Sequence, residues 1–410
     1  MPEGGGIGAR KVEEKAVTTF REYLRIKTVH PDPDYDGALA FLKKQASELG
    51  LPFACTEVHP GKIIIIMTWE GSDPSLPSIL LNSHTDVVPV FPEHWKYDAF
   101  EAVKTSEGDI YARGTQDMKC VGIQYLEAIR SLKSVGYCPL RTIHLSFVPD
   151  EEIGGKLGMK LFVHHEDFNK LNVGFALDEG LANPTEKFTV FYGERSPWWI
   201  RVKCTGNPGH GSRFIENTAA EKVRKVINSF LNFREEEEKK LNTNACLKLG
   251  DVTTLNMTML EGGVQYNVVP TELFAGFDIR VAPTVDMVQF EETIRGWLKD
   301  AGEGISYEFI QKNTDQTLTS TSENDVWWRT FSNACKKRNM VLEKEIFPAA
   351  TDSRFLRELG YPAIGFSPIN KTPILLHDHN EFLNEDIFME GIPIYVDIIK
   401  ALADVPMQAK

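Results

Sequence analysis

The feature that most constrains this chain is a set of acidic and histidine side chains that directly follow apolar, strand-like segments. In SILLNSHTDVVPV (78–90), the apolar run ends in His84 and Asp86. The same arrangement recurs at four further places: Asp117, Asp150 to Glu152, Asp178 with Glu179, and His377 with His379. In open parallel sheets, sites lie at the carboxyl ends of the strands. We therefore expect these side chains to converge on one crevice.

Converging carboxylates repel one another unless cations neutralise them. A single histidine or aspartate after a strand is more often a cap or a turn residue, so the argument depends on the recurrence. Imidazole and carboxylate without thiolate suit Zn²⁺, and Mn²⁺ or Co²⁺ accept the same ligands. Four or five protein ligands are too many for one catalytic zinc ion, which usually keeps three ligands and a water. The pattern therefore predicts a two-metal site.

The order of segments predicts an α/β fold with a mostly parallel sheet and an inserted α+β domain. In the first half, helix-like and strand-like segments alternate: helices at 10–27, 38–49 and 117–136, and strands at 62–71, 78–84, 141–148 and 172–178. The middle follows a β-α-β-β-α-β order, the split-βαβ sandwich pattern: 198–204, 218–233, 251–260, 272–281, 285–302 and 305–310. The end returns to α/β, with a helix at 322–339, a strand at 361–368 and a helix at 385–403. We predict a discontinuous catalytic domain, 1–191 with 312–410, and an inserted domain, 192–311.

Composition excludes several classes of protein. The net charge of −13 argues against a nucleic-acid or anionic-membrane surface, which requires clustered Lys and Arg. We find no run of about 18 apolar residues that could span a membrane and no apolar secretory segment at the N-terminus. The six cysteines are scattered, so reduced thiols and a cytoplasmic location are expected.

Five motifs together carry a family resemblance: H-T-D (84–86), G-T-Q-D-M-K (114–119), P-D-E-E-I-G-G (149–155), L-D-E-G (177–180) and H-D-H-N-E (377–381). The chain resembles the di-zinc family of aminoacylases and glutamate-type carboxypeptidases over nearly its whole length. The resemblance implies two zinc ions per subunit. His84 and Glu179 would bind one zinc, Glu152 and His377 the other, and Asp117 would bridge them.

The resemblance also implies catalytic roles. Glu151 would be the general base, and Asp86 would hold the second ring N–H of His84. In the H-D-H-N-E motif two histidines compete. The family spacing H-x-x-N/D-E selects His377 over His379, which stays an open alternative.

The predicted inserted domain adds three candidates, His210, Asn267 and Arg280, and Arg354 of the predicted catalytic domain is a fourth. His210 lies in the Gly- and Pro-rich loop NPGHGSR (207–213); the resemblance implies that it reaches a partner's active site across a homodimer interface and stabilises the oxyanion. Asn267 matches a substrate-contacting asparagine of the family. Arg280 lies opposite the apolar face of its strand, where its planar fork suits a substrate carboxylate. Arg354 is a second candidate for that task.

The implied activity is hydrolysis of N-acyl-L-amino acids, such as N-acetylmethionine, to a carboxylate and a free L-amino acid. Such an enzyme is a zinc hydrolase of amino acid metabolism that acts on small molecules. A di-zinc dipeptidase or carboxypeptidase of the same family is the alternative. A non-catalytic binding protein would carry apolar residues at the ligand positions, and the sequence has none there.

Overall fold

The computed structural model describes residues 13–407, which divide into two compact units. The first comprises the described residues of Met1–Val190, Thr321–Glu343 and Gly365–Lys410, and the second comprises Phe191–Ser320 and Lys344–Ile364. The predicted division into a catalytic domain and a dimerisation domain stays a prediction. In the described range, no helix is both long enough and apolar enough to cross a membrane.

The first part of the chain alternates helices with strands. Its elements are α1 (Lys15–Leu24), α2 (Tyr35–Leu49), β1 (Phe53–His59), β2 (Lys62–Trp69), β3 (Ser78–His84), β4 (Val103–Lys104), β5 (Asp109–Tyr111), α3 (Lys119–Ser134), β6 (Ile143–Val148), α4 (Met159–Phe162), α5 (Glu166–Lys170), β7 (Val173–Asp178) and β8 (Phe188–Glu194). The sequence predicted a helix from residue 10; residues 10–12 lie outside the described residues. The strands are rich in Ile, Leu and Val, which fit a pleated, buried surface.

The middle of the chain has the predicted order β-α-β-β-α-β, with two short strands added. Its elements are β9 (Ser196–Thr205), β10 (Gly209–His210), α6 (Ala219–Thr243), β11 (Thr254–Gly262), β12 (Val268–Val269), β13 (Glu272–Val281), α7 (Met287–Ala301) and β14 (Ile305–Lys312). Helix α6 continues ten residues past its predicted end at 233. The charged run at 234–240 is therefore part of the helix.

The last part contains α8 (Val326–Lys337), β15 (Leu342–Phe347), α9 (Ser353–Glu358), β16 (Ala363–Phe366), β17 (Phe382–Asn384) and α10 (Glu385–Ala403). Strands β4, β5 and β17 form a small sheet of their own. Helix α10 packs beside α3; the close approach places Gly391 where an added Cβ would lie 2.0 Å from the Gln124 amide.

The main sheet has the strand order β1-β2-β6-β3-β7-β16-β8-β15. Five of these strands lie wholly in the first unit, and β8, β15 and β16 each contain residues of both units. Strand β3 is parallel to β6 and to β7, whereas β1, β2 and β6 pair antiparallel. All residues of β3 and β6 are buried, as expected for strands covered on both faces. The predicted fold class is confirmed.

This topology brings three strand ends to one edge of the sheet. His84 is the last residue of β3, and it pairs in register with Val148, the last residue of β6. Asp178 ends β7. Because the three strands are parallel, the residues that follow them leave the sheet on the same side.

In the second unit, four antiparallel strands form a sheet in the order β11-β13-β9-β14. Helices α6 and α7 cover one face and share its apolar core with Phe277 and Ile279 of β13. The predicted inward series 273–281 lies in or against this core. Arg280 and Asp278 alternate with it and are therefore on the opposite face.

Candidate metal centre and active site

The structure gathers the five predicted metal-binding residues in the first unit. His84 Nε2 lies 2.9 Å from Asp117 Oδ1 and 3.5 Å from Glu179 Oε2. His377 Nε2 lies 2.8 Å from Glu152 Oε2 and 3.3 Å from Asp117 Oδ2. Asp117 therefore presents one carboxylate oxygen to each histidine, which is the arrangement of a ligand shared by two ions.

The donor set fits divalent cations. Two groups of three side chains place ligand atoms within 4.8 Å of one another: His84 with Asp117 and Glu152, and His84 with Glu151 and Glu179. Burial, followed by repulsion from Asp117, raises the pKa of Glu152 to about 7. Burial, with repulsion from Asp117 and Glu151, also raises the pKa of Glu179 well above its usual value. Glu152 Oε1 is buried and has no hydrogen-bond partner within residues 13–407. A bound cation would relieve the repulsion and take up this oxygen.

The orientation of His84 leaves one ring nitrogen for a metal. Its Nδ1 donates to the main-chain carbonyl of Asp86 at 2.9 Å, so Nε2 faces the carboxylate cluster. The Asp86 carboxylate is 3.8 Å from the same Nδ1. The main chain of Asp86, rather than the side chain that the sequence suggested, fixes this ring.

The Asp86 side chain instead holds the turn that carries the two glutamates. Its Oδ1 accepts from the Glu151 backbone nitrogen at 3.2 Å, and its Oδ2 accepts from that of Glu152 at 3.1 Å. Its Oδ2 also lies 2.8 Å from His30 Nε2. Asp86 is fully buried, and each of these donors compensates its charge. Sequence reasoning missed His30, which lies 56 positions before Asp86 in a turn between α1 and α2.

A second residue missed by sequence reasoning is Glu381, the last letter of the H-D-H-N-E motif. Its buried carboxylate accepts hydrogen bonds from five donors of one loop: Arg113, Gly114, Thr115, Gln116 and Asp117. The same carboxylate therefore fixes the loop of Asp117 and, four positions along the chain, the segment of His377. The position of Glu381 at the end of the H-D-H-N-E motif was the sequence signal that could have identified it.

The two histidines of this motif have different surroundings. His377 contacts Asp117 and Glu152, as given above. His379 packs against His94, with ring centroids 4.8 Å apart, and against the edge of Phe91. The His379 ring thus packs against other aromatic rings, whereas the His377 ring contacts the carboxylates of the cluster.

His210 and Asn267 lie together in the second unit. His210 is exposed at the end of β10, and its Nδ1 lies 2.8 Å from Ser212 Oγ. The Gly211 nitrogen donates to the Asn267 carbonyl at 2.8 Å. The β10–β12 pairing, in which His210 lies opposite Val268, therefore brings His210 close to Asn267, the residue that precedes β12.

The two arginine candidates also lie in the second unit. The Arg280 guanidinium donates to both carboxylate oxygens of Asp278, at 2.8 and 3.1 Å. Both side chains are 28% exposed, so the pair is accessible to a ligand. Arg354 lies in the first turn of α9, and its guanidinium lies over the ring of Phe355.

Comparisons with known proteins identify the family. Residues 80–401 match peptidase family M20/M25/M40. The chain is 62% identical to aminoacylase-1 of Mus musculus, over 96% of this chain and 97% of that protein. It is 51% identical to aminoacylase-1 of Dictyostelium discoideum, over 96% and 98% of the two chains.

Solved structures with the same fold are more distant. An M20 family metallo-carboxypeptidase from Sulfolobus solfataricus matches with a TM-score of 0.72 at 19% identity, over 95% of this chain and 100% of that one. Human carnosine dipeptidase 1 matches with a TM-score of 0.67 at 15% identity, over 95% and 96% of the two chains. At these identities the likeness supports the fold alone. The family match and the aminoacylase-1 relatives, together with the cluster of metal-ligand side chains, show that the chain belongs to peptidase family M20/M25/M40, a family of metal-dependent hydrolases.

Proposed function

We propose that this chain hydrolyses N-acyl-L-amino acids, such as N-acetylmethionine, to a carboxylate and a free L-amino acid. The observation that carries the proposal is Asp117, which presents one oxygen to each of two histidines. Its relatives named aminoacylase-1 support this substrate class; the mouse protein is 62% identical.

We assign two zinc ions to the site, one held by His84 and Glu179, the other by Glu152 and His377, with Asp117 shared. The support is the contact pattern of these five side chains and the absence of thiolate from the set, which suits zinc. Bound zinc would supply a Lewis acid that polarises the amide carbonyl and makes water more acidic.

Glu151 is the proposed general base. It would take a proton from the attacking water and deliver it to the leaving amide nitrogen. The Asp86 side chain takes no part in this proton transfer, because both of its carboxylate oxygens already accept hydrogen bonds from the backbone nitrogens of Glu151 and Glu152. Its role is therefore to hold Glu151 in place.

The second unit would supply the contacts to substrate. The Arg280 fork would bind the substrate's α-carboxylate, which would compete with Asp278 for the same donors. Asn267 and Arg354 are further substrate contacts in this proposal. His210, with its exposed ring, would stabilise the oxyanion of the tetrahedral intermediate.

We further propose that two copies form a homodimer in which His210 acts on the partner's substrate. Strand β11 is an edge of its sheet, and it exposes Met257, Met259 and Leu260. An exposed apolar edge strand is a template for pairing with another chain. The six cysteines are unpaired, which fits the predicted cytoplasmic location.

The dipeptidase or carboxypeptidase alternative is not favoured, because the structures with those names resemble the chain at 15–19% identity. A direct test compares turnover of N-acetylmethionine with that of unblocked dipeptides at equal concentration. The proposal requires the N-acyl substrate to be preferred. Faster hydrolysis of the dipeptides would contradict it.

A further inference from the structure

We propose that His30 and Lys62 are positioning residues for the turn that carries Glu151 and Glu152. His30 acts through Asp86, and Lys62 acts through Asp150. The inference rests on the proposed function, since it assigns Glu151 as the base and Glu152 as a metal ligand.

The turn needs external support because its own geometry is unfavourable. Asp150 enters it with a φ of 65°, a left-handed conformation that is uncommon for a residue with a side chain. Only three residues, Glu151–Ile153, follow in a 3₁₀ turn, and such a short turn has weak hydrogen-bond geometry. Both proposed functional glutamates therefore lie on a segment that other residues must hold in place.

His30 supports the turn from one side. The Asp86 carboxylate that accepts from both glutamate nitrogens would carry a buried charge, and His30 Nε2 approaches it at 2.8 Å. A carboxylate accepts, so this ring nitrogen donates. The backbone fixes the pair: His30 N donates to Val87 O at 3.2 Å, and Val87 N donates to Thr28 O at 2.9 Å. His30 is itself 9% exposed, so few other orientations of its ring are open to it.

Lys62 supports the turn from the Asp150 side. Its ammonium donates to Asp150 Oδ1 at 2.8 Å. The Tyr35 hydroxyl donates to the same oxygen at 2.7 Å and accepts from the Asp150 backbone nitrogen at 3.0 Å. Asp150 is 1% exposed, so its charge depends on these partners. Lys62 begins β2 and Tyr35 begins α2, which anchors the turn to two regular elements.

The consequence is that three successive residues, Asp150 to Glu152, are held by charged groups that do not touch the reacting atoms. Catalytic groups lose activity steeply when their supporting contacts let them move by about 1 Å. Loss of either support should therefore lower kcat and metal affinity while leaving substrate affinity nearly unchanged.

Four single substitutions test the inference: His30→Leu, His30→Gln, Lys62→Met and His144→Leu. Gln retains a donor that can reach Asp86, and Met retains the aliphatic stem of Lys62. His144 is the matched control, because it is 7% exposed and binds Thr68, far along its strand from the turn. For each zinc-loaded variant we would measure kcat and KM with N-acetylmethionine, zinc affinity by chelator competition, and the unfolding free energy of the apoprotein.

We expect His30→Leu and Lys62→Met each to weaken zinc affinity and kcat by about 10- to 100-fold, the usual cost of removing such a supporting contact, with little change in KM. His30→Gln should recover most of the loss. His144→Leu should lower the unfolding free energy and leave kcat and zinc affinity at the wild-type level.

The proposal is overturned if His30→Leu behaves like His144→Leu, or if His30→Gln is no better than His30→Leu. If His30→Leu does not fold, a folded Lys62→Met variant with wild-type kcat and zinc affinity overturns it alone. Wild-type protein that fails to hydrolyse N-acetylmethionine would reject the proposed function instead, and zinc affinity would then still decide the positioning roles.

Discussion

The Glu381 carboxylate accepts a hydrogen bond from the Gln116 backbone nitrogen at 2.6 Å. The two residues are 265 positions apart, and the bond joins the loop before α3 to the segment before β17. The second oxygen of Glu381 pairs with Arg113 at 2.8 Å. One buried carboxylate thus connects the segments that present Asp117 and His377.

Glu381→Gln should destabilise the fold, because it leaves the Arg113 guanidinium buried without a counter-charge. Breaking a buried pair in this way costs about 3 to 5 kcal/mol. Urea unfolding of the apoprotein measures the change. Lys187→Met is the control: it breaks an exposed pair with Glu343, which should cost less than about 1 kcal/mol. Equal effects of the two substitutions would refute the organising role of Glu381.

Glu151→Gln should nearly abolish turnover while zinc stays bound. General-base catalysis contributes about 10²- to 10⁴-fold to rate, and the amide cannot take a proton from water. Turnover of N-acetylmethionine and metal content are measured on the same sample. Glu127→Gln is the control, since Glu127 is also buried but binds Arg130. Activity that survives Glu151→Gln would show that another group is the base.

Arg280→Leu should raise KM about tenfold or more for substrates with a free carboxylate, because it removes a charge-assisted contact. The KM for N-acetylmethionine amide, which lacks that carboxylate, should hardly change. Arg201→Leu serves as the control, because Arg201 lies in the same sheet and pairs with Glu261. An unchanged KM for the acid substrate would remove Arg280 from the substrate site.

The buried imidazole of His144 should make the stability of the fold depend on pH. Burial lowers its pKa to about 4, below the ordinary value of about 6.5 in an unfolded chain. The folded state therefore binds fewer protons than the unfolded state between these values, and the stability present above pH 6.5 is lost as pH falls through 4. The contribution is roughly 3 kcal/mol.

Urea unfolding of the apoprotein at a series of pH values, for wild type and His144→Gln, isolates this contribution. The wild type should lose more unfolding free energy than the variant between about pH 7 and pH 4. If wild type and variant lost the same unfolding free energy over this pH range, the lowered pKa of His144 would be contradicted.

Much of the fold could be predicted from local patterns. The strand at 272–281 and the helix at 385–403 have the predicted bounds, because each has a clean period and distinct ends. Thr218 and Glu221 form a capping box at the start of α6, a pattern that marks the beginning of a helix in sequence. Three strands of the main sheet, β1, β8 and β15, were missed. Strand β15 reads LEKEIF, whose charged residues hide the alternation that marks a strand.

The candidate site was partly predictable for a different reason. Histidine and acidic residues at strand ends are visible in sequence, and parallel pairing of β3 with β6 and β7 brings them together. The family predicted from the five motifs is confirmed. His30, Lys62 and Glu381 escaped notice because their partners are set by tertiary packing. Tertiary packing also decides which group of Asp86 contacts His84: its main-chain carbonyl accepts from the His84 ring, and its carboxylate accepts from the backbone of the Glu151–Glu152 turn.

The central claim is that five side chains from distant parts of the chain hold a pair of divalent cations needed for amide hydrolysis. The most direct test is metal analysis of the purified protein, coupled to N-acetylmethionine turnover before chelation, after chelation and after zinc is restored. We predict two zinc ions per chain, loss of turnover on chelation, and its recovery with zinc. Full activity in metal-free protein would contradict the account.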